Sequence, residues 1–232
     1  MSLRIAVDSD MLRNLAAFYN LTKDGKVIKY NSSVHNEHIN QNLEDYLFLF
    51  SYIKQFKIEI LVGPVVYNEI KHLDNITNFV EKYCHLTNPD KNKVKILAKA
   101  YSSPYMDKGK TLYQPMEKIY VAAIDSYVPS NDCFIMAEAT VNECFLLTNN
   151  LKDFIFDNKL GDTDNHRRVE GIRIINTQHK YKRILQDNIY FIPQPVSFSK
   201  LIKQLKKKAY KTLSYTPNSA NTKTNNEENI EL

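Results

Sequence analysis

Four short apolar runs, separated by segments with helical periodicity, place the strongest constraint on the fold of this chain. They are typical of buried strands and cover residues 3–7, 58–62, 144–148 and 172–176. Short apolar strands that alternate with helices are typical of a parallel sheet with helices on both faces. The sequence therefore predicts an α/β fold, in which functional sites form beyond the carboxyl ends of the strands.

The helical and polar segments divide the chain further. Helical spacing of apolar residues predicts helices at 11–19, 43–56, 64–73, 132–142, 177–188 and 196–211. Residues 1–192 are predicted to form the main domain, with a polar loop insertion at 21–40 and a mostly helical stretch at 75–127. A basic C-terminal helix is predicted within 193–213. Residues 214–232 carry few apolar side chains, which predicts a disordered tail.

Composition narrows the class of protein. Hydrophobic residues make up 43% of the chain and charged residues 25%, which is typical of a globular domain. No apolar run reaches the roughly 18 residues needed to cross a bilayer, and the N-terminus lacks a signal-peptide pattern. The expected location is therefore cytoplasmic, without a membrane partner. Three cysteines without CxxC spacing predict neither a disulfide framework nor a zinc knuckle.

The charge of the chain permits a polyanionic partner without requiring one. The net charge is +5, and part of the excess lies in a single segment near the C-terminus. The lysines of that segment are Lys200, Lys203, Lys206, Lys207, Lys208 and Lys211. Such a run is commonly a solvated helix face, but lysines also supply phosphate affinity that does not depend on sequence.

Four carboxylates occupy equivalent places relative to the predicted strands. Asp8 follows the first strand directly, and Glu69 lies on the helix that the second strand enters. Asp132 lies at the start of the helix before the third strand, and Asp153 lies five residues beyond that strand. Each alone has an ordinary explanation as a turn, cap or exposed helix residue. If the strands are parallel neighbours, however, all four converge on one edge of the sheet.

Carboxylates that lie together without cationic partners repel one another and resist ionisation. A divalent cation removes that conflict, and Mg²⁺ or Mn²⁺ favours hard oxygen ligands together with substrate phosphate. Such an ion lowers the pKa of a bound water and stabilises charge on a phosphoryl oxygen. An acidic pocket in a basic chain therefore indicates Mg²⁺- or Mn²⁺-dependent phosphodiester hydrolysis.

The order of these motifs resembles that of the PIN-domain nucleases, the family that includes the VapC-type toxins of toxin–antitoxin pairs. The matching segments are 5-IAVDSDML-12, 65-VVYNEI-70 and 131-NDCFIMAEATVNECFLLTNNLKDF-154. The third is the most specific, because it joins an Asp-led helix, an apolar strand and a Thr-x-Asn-x-x-Asp-Phe ending. The chain departs from the family at Asp10, where Asn or Ser is more common, and is much longer than the compact toxins.

The resemblance implies a three-layer α/β/α sandwich and cleavage of RNA with Mg²⁺ or Mn²⁺. It places Asp8, Glu69, Asp132 and Asp153 in the catalytic metal site, and Ser9, Thr148 and Asn150 in supporting positions. Basic side chains that would contact the RNA backbone are Arg13, Lys71, Lys152, Lys206, Lys207 and Lys208. An antitoxin protein and a second copy of the chain are further implied partners. The larger members of the family also act in RNA processing and decay.

Two other functions compete with this interpretation. A strand followed by Asp8 and Asp10 also resembles the haloacid-dehalogenase-type phosphatases, in which the first Asp is a nucleophile and the second a general acid. A later acidic loop, 161-GDTDNH-166, adds to that likeness, but Met11 and Leu12 stand where that family has a small hydroxyl residue or glycine. The other alternative is a PIN scaffold that binds RNA or protein without catalysis.

Overall fold

The structure, a computed structural model, describes residues 3–23, 26–27, 42–56, 58–102, 128–150, 172–186, 188–193 and 195–213. The predicted tail at 214–232 lies outside these residues, as does most of the predicted insertion at 21–40. Of the predicted helical stretch at 75–127, the part up to residue 102 is described.

Five parallel strands form the central sheet. In chain order they are β1 (Arg4–Val7), β4 (Glu59–Val62), β5 (Cys84–Leu86), β6 (Phe145–Leu147) and β7 (Pro195–Val196); β2 (Thr22–Lys23) and β3 (Lys26–Val27) form a separate antiparallel pair. The strand order in the sheet is β5-β4-β1-β6-β7. Ile5 of β1 pairs with Ile60 on one side and Phe145 on the other. The central strand β1 is buried along most of its length, as expected for a sheet covered on both faces.

Helices flank this sheet. They are α1 (Ser9–Leu21), α2 (Leu43–Phe56), α3 (Pro64–Ile70), α4 (Asp74–Tyr83), α5 (Lys91–Ser102), α6 (Asn131–Val141), α7 (residues 172–177), α8 (His179–Leu185) and α9 (Phe198–Leu213). The predicted α/β class is confirmed, and the molecule is a three-layer α/β/α sandwich around a parallel sheet. Among the described residues, no helix combines the length and apolar character needed to span a membrane.

The basic C-terminal helix α9 packs on the same core as the rest of the sandwich. Its first residue, Phe198, stacks on Tyr46 of α2 with ring centroids 4.3 Å apart. Lys206 of α9 also forms an ion pair with Asp45 of α2, with Nζ and Oδ1 2.6 Å apart. Strand β7, which leads into α9, pairs with β6. The sequence pattern predicted a boundary after residue 192, but the described elements on both sides of that position share one core.

Several sequence assignments differ from the structure. The predicted polar loop insertion at 21–40 begins inside α1 and contains the antiparallel pair of β2 and β3. The predicted strand at 172–176 is helix α7, in which Ile172, Ile174 and Ile175 are buried. A short apolar run fits a buried helix as well as a buried strand, so its periodicity cannot separate the two. Strand β5 lies inside the stretch predicted to be helical, and it is an edge strand with two exposed residues. The fifth strand, β7, was not predicted, and its second residue, Val196, falls in the helix predicted for 196–211. This strand begins with Pro195, which lacks an N–H and is tolerated at the start of an edge strand.

Candidate active site

Asp8 lies directly beyond β1 and is bound to the end of the neighbouring strand. The hydroxyl of Thr148, the residue after β6, donates a hydrogen bond to Oδ2 of Asp8. The backbone N–H of Met11 donates to Oδ1, with N and O 2.7 Å apart. Asp8 is only 4% exposed. The adjacent carboxyl ends of β1 and β6 therefore hold one buried carboxylate by two neutral donors.

The environment of Asp8 disfavours its charged form. Burial raises the pKa of Asp8 from its ordinary value of 3.8 to about 6, although the hydrogen bonds from Thr148 and Met11 act in the opposite direction. The negative charges of Asp10 and Asp132 add to the increase. Asp132 therefore lies close enough to Asp8 for the two carboxylates to repel each other.

Glu69 joins three helices at the same edge of the sheet. It lies near the end of α3, which the chain enters directly from β4. Its Oε2 accepts a hydrogen bond from the hydroxyl of Ser9, the residue next to Asp8. Its Oε1 accepts from the side-chain amide of Asn131 at 2.7 Å, and Asn131 is the neighbour of Asp132. Glu69 is thus hydrogen-bonded to one sequence neighbour of Asp8 and to one sequence neighbour of Asp132.

Asp132 lies in the first turn of α6, but it is not the residue that caps this helix. The N-cap is Ser130, whose hydroxyl oxygen accepts a hydrogen bond from the backbone N–H of Cys133. Capping, which was the ordinary explanation for Asp132, is therefore supplied by another side chain. A carboxylate in the first turn is also favoured by the helix dipole, and that effect holds negative charge close to Asp8.

Thr148 organises the other side of the edge. While its hydroxyl donates to Asp8, its oxygen accepts the backbone N–H of Asn150 at 2.9 Å. This contact fixes the first residues beyond β6, the segment that leads toward Asp153. Asp153 and Lys152 lie outside the described residues, so their proposed roles stay predictions.

The basic residues predicted to contact RNA differ in their surroundings. Arg13 pairs with Asp10 at 3.1 Å, and Asp10 is exposed on the first turn of α1. Lys71 donates to the side chain of Asn68 at 3.2 Å. Lys206 pairs with Asp45, as described above, and so helps to attach α9 to α2. Lys207 and Lys208 are exposed on α9.

A buried carboxylate that the sequence analysis missed, Glu138 of α6, supports the helix that carries Glu69. It is 5% exposed, and its Oε1 accepts a hydrogen bond from the backbone N–H of Val65, in the first turn of α3, at 3.2 Å. Its carboxyl group occupies the space beside Gly63, where an added Cβ would overlap Oε2 and lie 2.7 Å from Cδ. The available signal was an acidic residue within the apolar run Ile135–Ala139, since buried charged groups are rare without a partner.

Replacing Glu138 with Gln tests whether burial of this carboxyl group makes the stability of the protein depend on pH. Burial raises the pKa of Glu138 from 4.5 to about 7. Because the folded protein then binds the proton more tightly than the unfolded chain does, wild-type stability falls as pH rises through this interval. Gln keeps an acceptor for Val65 without this penalty. Glu138→Gln should match wild type near pH 4.5 and be more stable by on the order of 2 kcal/mol at pH 8, as measured by urea unfolding. A constant difference across this range would contradict the assignment.

The described site is acidic. Within the described part of the chain, no Lys or Arg forms an ion pair with Asp8 or Glu69. The donor set is made of hard carboxylate oxygens, which suits Mg²⁺ or Mn²⁺. Over the same residues, no three His, Cys, Asp or Glu side chains form a group that could hold a metal ion. Asp8, Glu69 and Asp132 thus lie at the same edge of the sheet, but the three carboxylates do not by themselves form a metal-binding group.

No family model, curated protein or solved structure matches this chain.

Proposed function

We propose that this protein is a Mg²⁺- or Mn²⁺-dependent endoribonuclease of the PIN type. The observation that carries the proposal is the buried Asp8 carboxylate, which is bound only by neutral donors within the described residues and lies near the charge of Asp132. A buried carboxylate of this kind, beside a second negative charge at the carboxyl edge of a parallel sheet, is poorly stabilised without a cation. The motif order of the sequence, which resembles that of the PIN nucleases, supports RNA as the substrate.

Each residue of the edge has a proposed part in this function. Asp8, Glu69 and Asp132, together with Asp153, would hold the ion. When bound, the ion supplies an activated water and stabilises charge on the phosphoryl oxygen. Thr148 holds the Asp8 carboxylate in position, and Asn150 orients Thr148. Ser9 and Asn131 hold the two oxygens of Glu69.

The geometry favours a nuclease over a phosphatase of the haloacid-dehalogenase type. In the phosphatase mechanism one oxygen of Asp8 must attack phosphorus, and Asp10 must donate a proton to the leaving group. Asp10 is exposed and paired with Arg13 instead. The other alternative, a PIN scaffold that binds RNA or protein without cleaving RNA, is an outcome of the test below.

Removal and return of metal test the proposal. Purified protein is incubated with single-stranded and hairpin RNAs in buffer, in EDTA, and in EDTA followed by excess Mg²⁺ or Mn²⁺. We expect cleavage to be lost in EDTA and restored by either ion, because the carboxylate edge requires a cation to act. Products that carry a 5′-phosphate would agree with attack by water. Cleavage that persists in EDTA would contradict the metal mechanism, and RNA binding without cleavage in any metal would favour the non-catalytic scaffold.

The toxin role and the oligomeric state rest on the resemblance alone. A small adjacent reading frame that encodes a DNA-binding protein, and that suppresses growth arrest caused by this chain, would support an antitoxin partner. Size-exclusion chromatography with light scattering would establish whether a homodimer forms.

A further inference from the structure

A second surface, away from the acidic edge, combines an exposed aromatic ring with positive charge. It consists of Lys182 and Gln186 of α8 together with Asn188 and Tyr190 of the segment that follows, and is called here the Tyr190 surface. These four residues line an open groove of about 430 Å³. Tyr190 is 84% exposed. A large aromatic side chain in this position leaves one face of the ring open to a ligand.

The backbone that carries Tyr190 is held in place by two hydrogen bonds from one side chain. Asn176 donates from Nδ2 to the carbonyl oxygen of Ile189 at 2.7 Å, and its Oδ1 accepts the N–H of Ile189 at 2.8 Å. Asn188 donates to the hydroxyl of Tyr190 at 2.8 Å. The ring is therefore exposed but already ordered, which reduces the entropic cost of binding a ligand against it.

The charge around the groove favours an anionic ligand. Lys182 lines the groove, and the next residue of α8, Arg183, is also exposed. None of the four described lining residues is acidic, and the acidic residue between Gln186 and Asn188, Asp187, lies outside the described residues. In the part of the chain that the structure describes, no carboxylate pairs with Lys182 or Arg183. An ordered aromatic ring beside basic side chains is the combination that binds single-stranded nucleic acid, through base stacking and phosphate attraction.

We propose that the Tyr190 surface binds single-stranded RNA outside the cleaved bond, an inference that rests on the proposed ribonuclease function. A base stacks on the ring of Tyr190 while the neighbouring phosphates lie near Lys182 and Arg183. Duplex RNA does not bind in this way, because its bases are stacked on each other and their faces are covered. The segment 188–193 leads into the amino end of β7, whereas Asp8 and Thr148 follow the carboxyl ends of their strands. The surface is therefore a second contact for long RNA and not a part of the acidic site.

Binding without cleavage tests the surface separately from catalysis. Fluorescence anisotropy in EDTA would measure the affinity for a labelled single-stranded RNA of roughly 30 nucleotides and for one of roughly 6 nucleotides. We expect Tyr190→Ala to weaken binding of the long RNA about tenfold, while Tyr190→Phe, which keeps the ring, stays within about twofold. Lys182→Gln should reduce the slope of the logarithm of the binding constant against the logarithm of the salt concentration by about one, the value for one lost phosphate contact. Lys54→Gln, at an exposed lysine of α2, is the matched control and should change neither quantity.

The outcomes separate this inference from the proposed function. If Tyr190→Ala binds the long RNA as tightly as wild type, or if the Phe variant loses as much affinity as the Ala variant, base stacking at this surface is wrong. Wild-type protein that cleaves the short RNA but binds both RNAs with equal affinity would contradict RNA binding at the Tyr190 surface and leave the nuclease proposal intact. Protein that shows the Tyr190-dependent binding and cleaves no RNA in Mg²⁺ or Mn²⁺ would support the surface and contradict the nuclease proposal.

Discussion

Asp8→Asn is expected to abolish RNA cleavage, with a loss of at least about 1,000-fold in rate, while the protein stays folded. The amide is close in size to the carboxylate and keeps one oxygen for the hydrogen bonds at this position, but it has no charge to hold a cation. The measurement is single-turnover cleavage of a labelled RNA in saturating Mn²⁺. Asp10→Asn is the matched control, because Asp10 is a nearby carboxylate that is exposed and paired with Arg13. It should keep cleavage within about threefold of wild type.

The same substitution should not destabilise the metal-free protein at neutral pH. The pKa of Asp8 is raised from 3.8 to about 6 in the folded protein. Ionisation of Asp8 therefore destabilises the fold as pH rises through this interval, and the effect is complete above about pH 6. Asn removes that cost but satisfies the donors Thr148 and Met11 less well. The net expectation in EDTA at pH 8 is a gain of on the order of 1 kcal/mol.

Two results would contradict this account of Asp8. Cleavage by Asp8→Asn at the wild-type rate would remove it from the catalytic site. A loss of cleavage accompanied by unfolding in EDTA would show that Asp8 is needed for structure, and would leave its catalytic role unsupported. Inactive protein that is as stable as wild type or more stable is the expected combination, because catalytic sites commonly hold groups that the fold alone would not favour.

Gly63→Ala is expected to destabilise the protein by about 3 kcal/mol and to reduce cleavage. The added Cβ would overlap the carboxyl group of Glu138, which is buried and hydrogen-bonded to Val65. Displacing Glu138 breaks its hydrogen bond to Val65 and shifts α3, which carries Glu69. The backbone itself does not require glycine, because φ at Gly63 is −79°. The cost therefore comes from this single contact and not from a strained conformation.

A double-mutant cycle isolates that contact. Glu138→Ala creates space beside residue 63, so Gly63→Ala should cost much less in that background, within about 1 kcal/mol. The measurement is urea unfolding of wild type, the two single variants and the double variant. If Gly63→Ala costs the same in both backgrounds, the packing of Glu138 against Gly63 is not the reason for glycine at this position.

The parts of the site that could be predicted from the sequence are those that depend on local pattern and on sheet topology. Asp8 and Thr148 follow short apolar strands, and parallel strands bring such residues to one edge. Glu69 lies on a helix marked by Pro64, a residue favoured in the first turn. The contacts between these residues could not be predicted in detail, because Ser9 and Glu69, or Asn131 and Glu69, meet only after the helices have packed.

The errors have equally specific causes. The run at 172–176 was assigned to a strand because a short apolar segment fits either buried structure, and only packing decides between them. The capping explanation for Asp132 depended on where α6 begins, and the structure places the cap at Ser130. Glu138 gave no recognisable motif, since its partners Gly63 and Val65 lie more than 70 residues earlier in the chain. The helix at 172–176 and the contacts of Glu138 depend on long-range packing that local propensity does not contain, whereas the cap of α6 depends on a local hydrogen bond.

Anomalous scattering from crystals soaked in Mn²⁺ would locate a metal ion at the acidic edge. We expect a peak within about 2.5 Å of a carboxylate oxygen of Asp8, with Glu69 or Asp132 as a further ligand or bound through water. We expect no peak in Asp8→Asn crystals soaked in the same way. Absence of a peak at this edge in wild-type crystals, at a Mn²⁺ concentration that saturates cleavage in solution, would contradict a metal site built by these carboxylates.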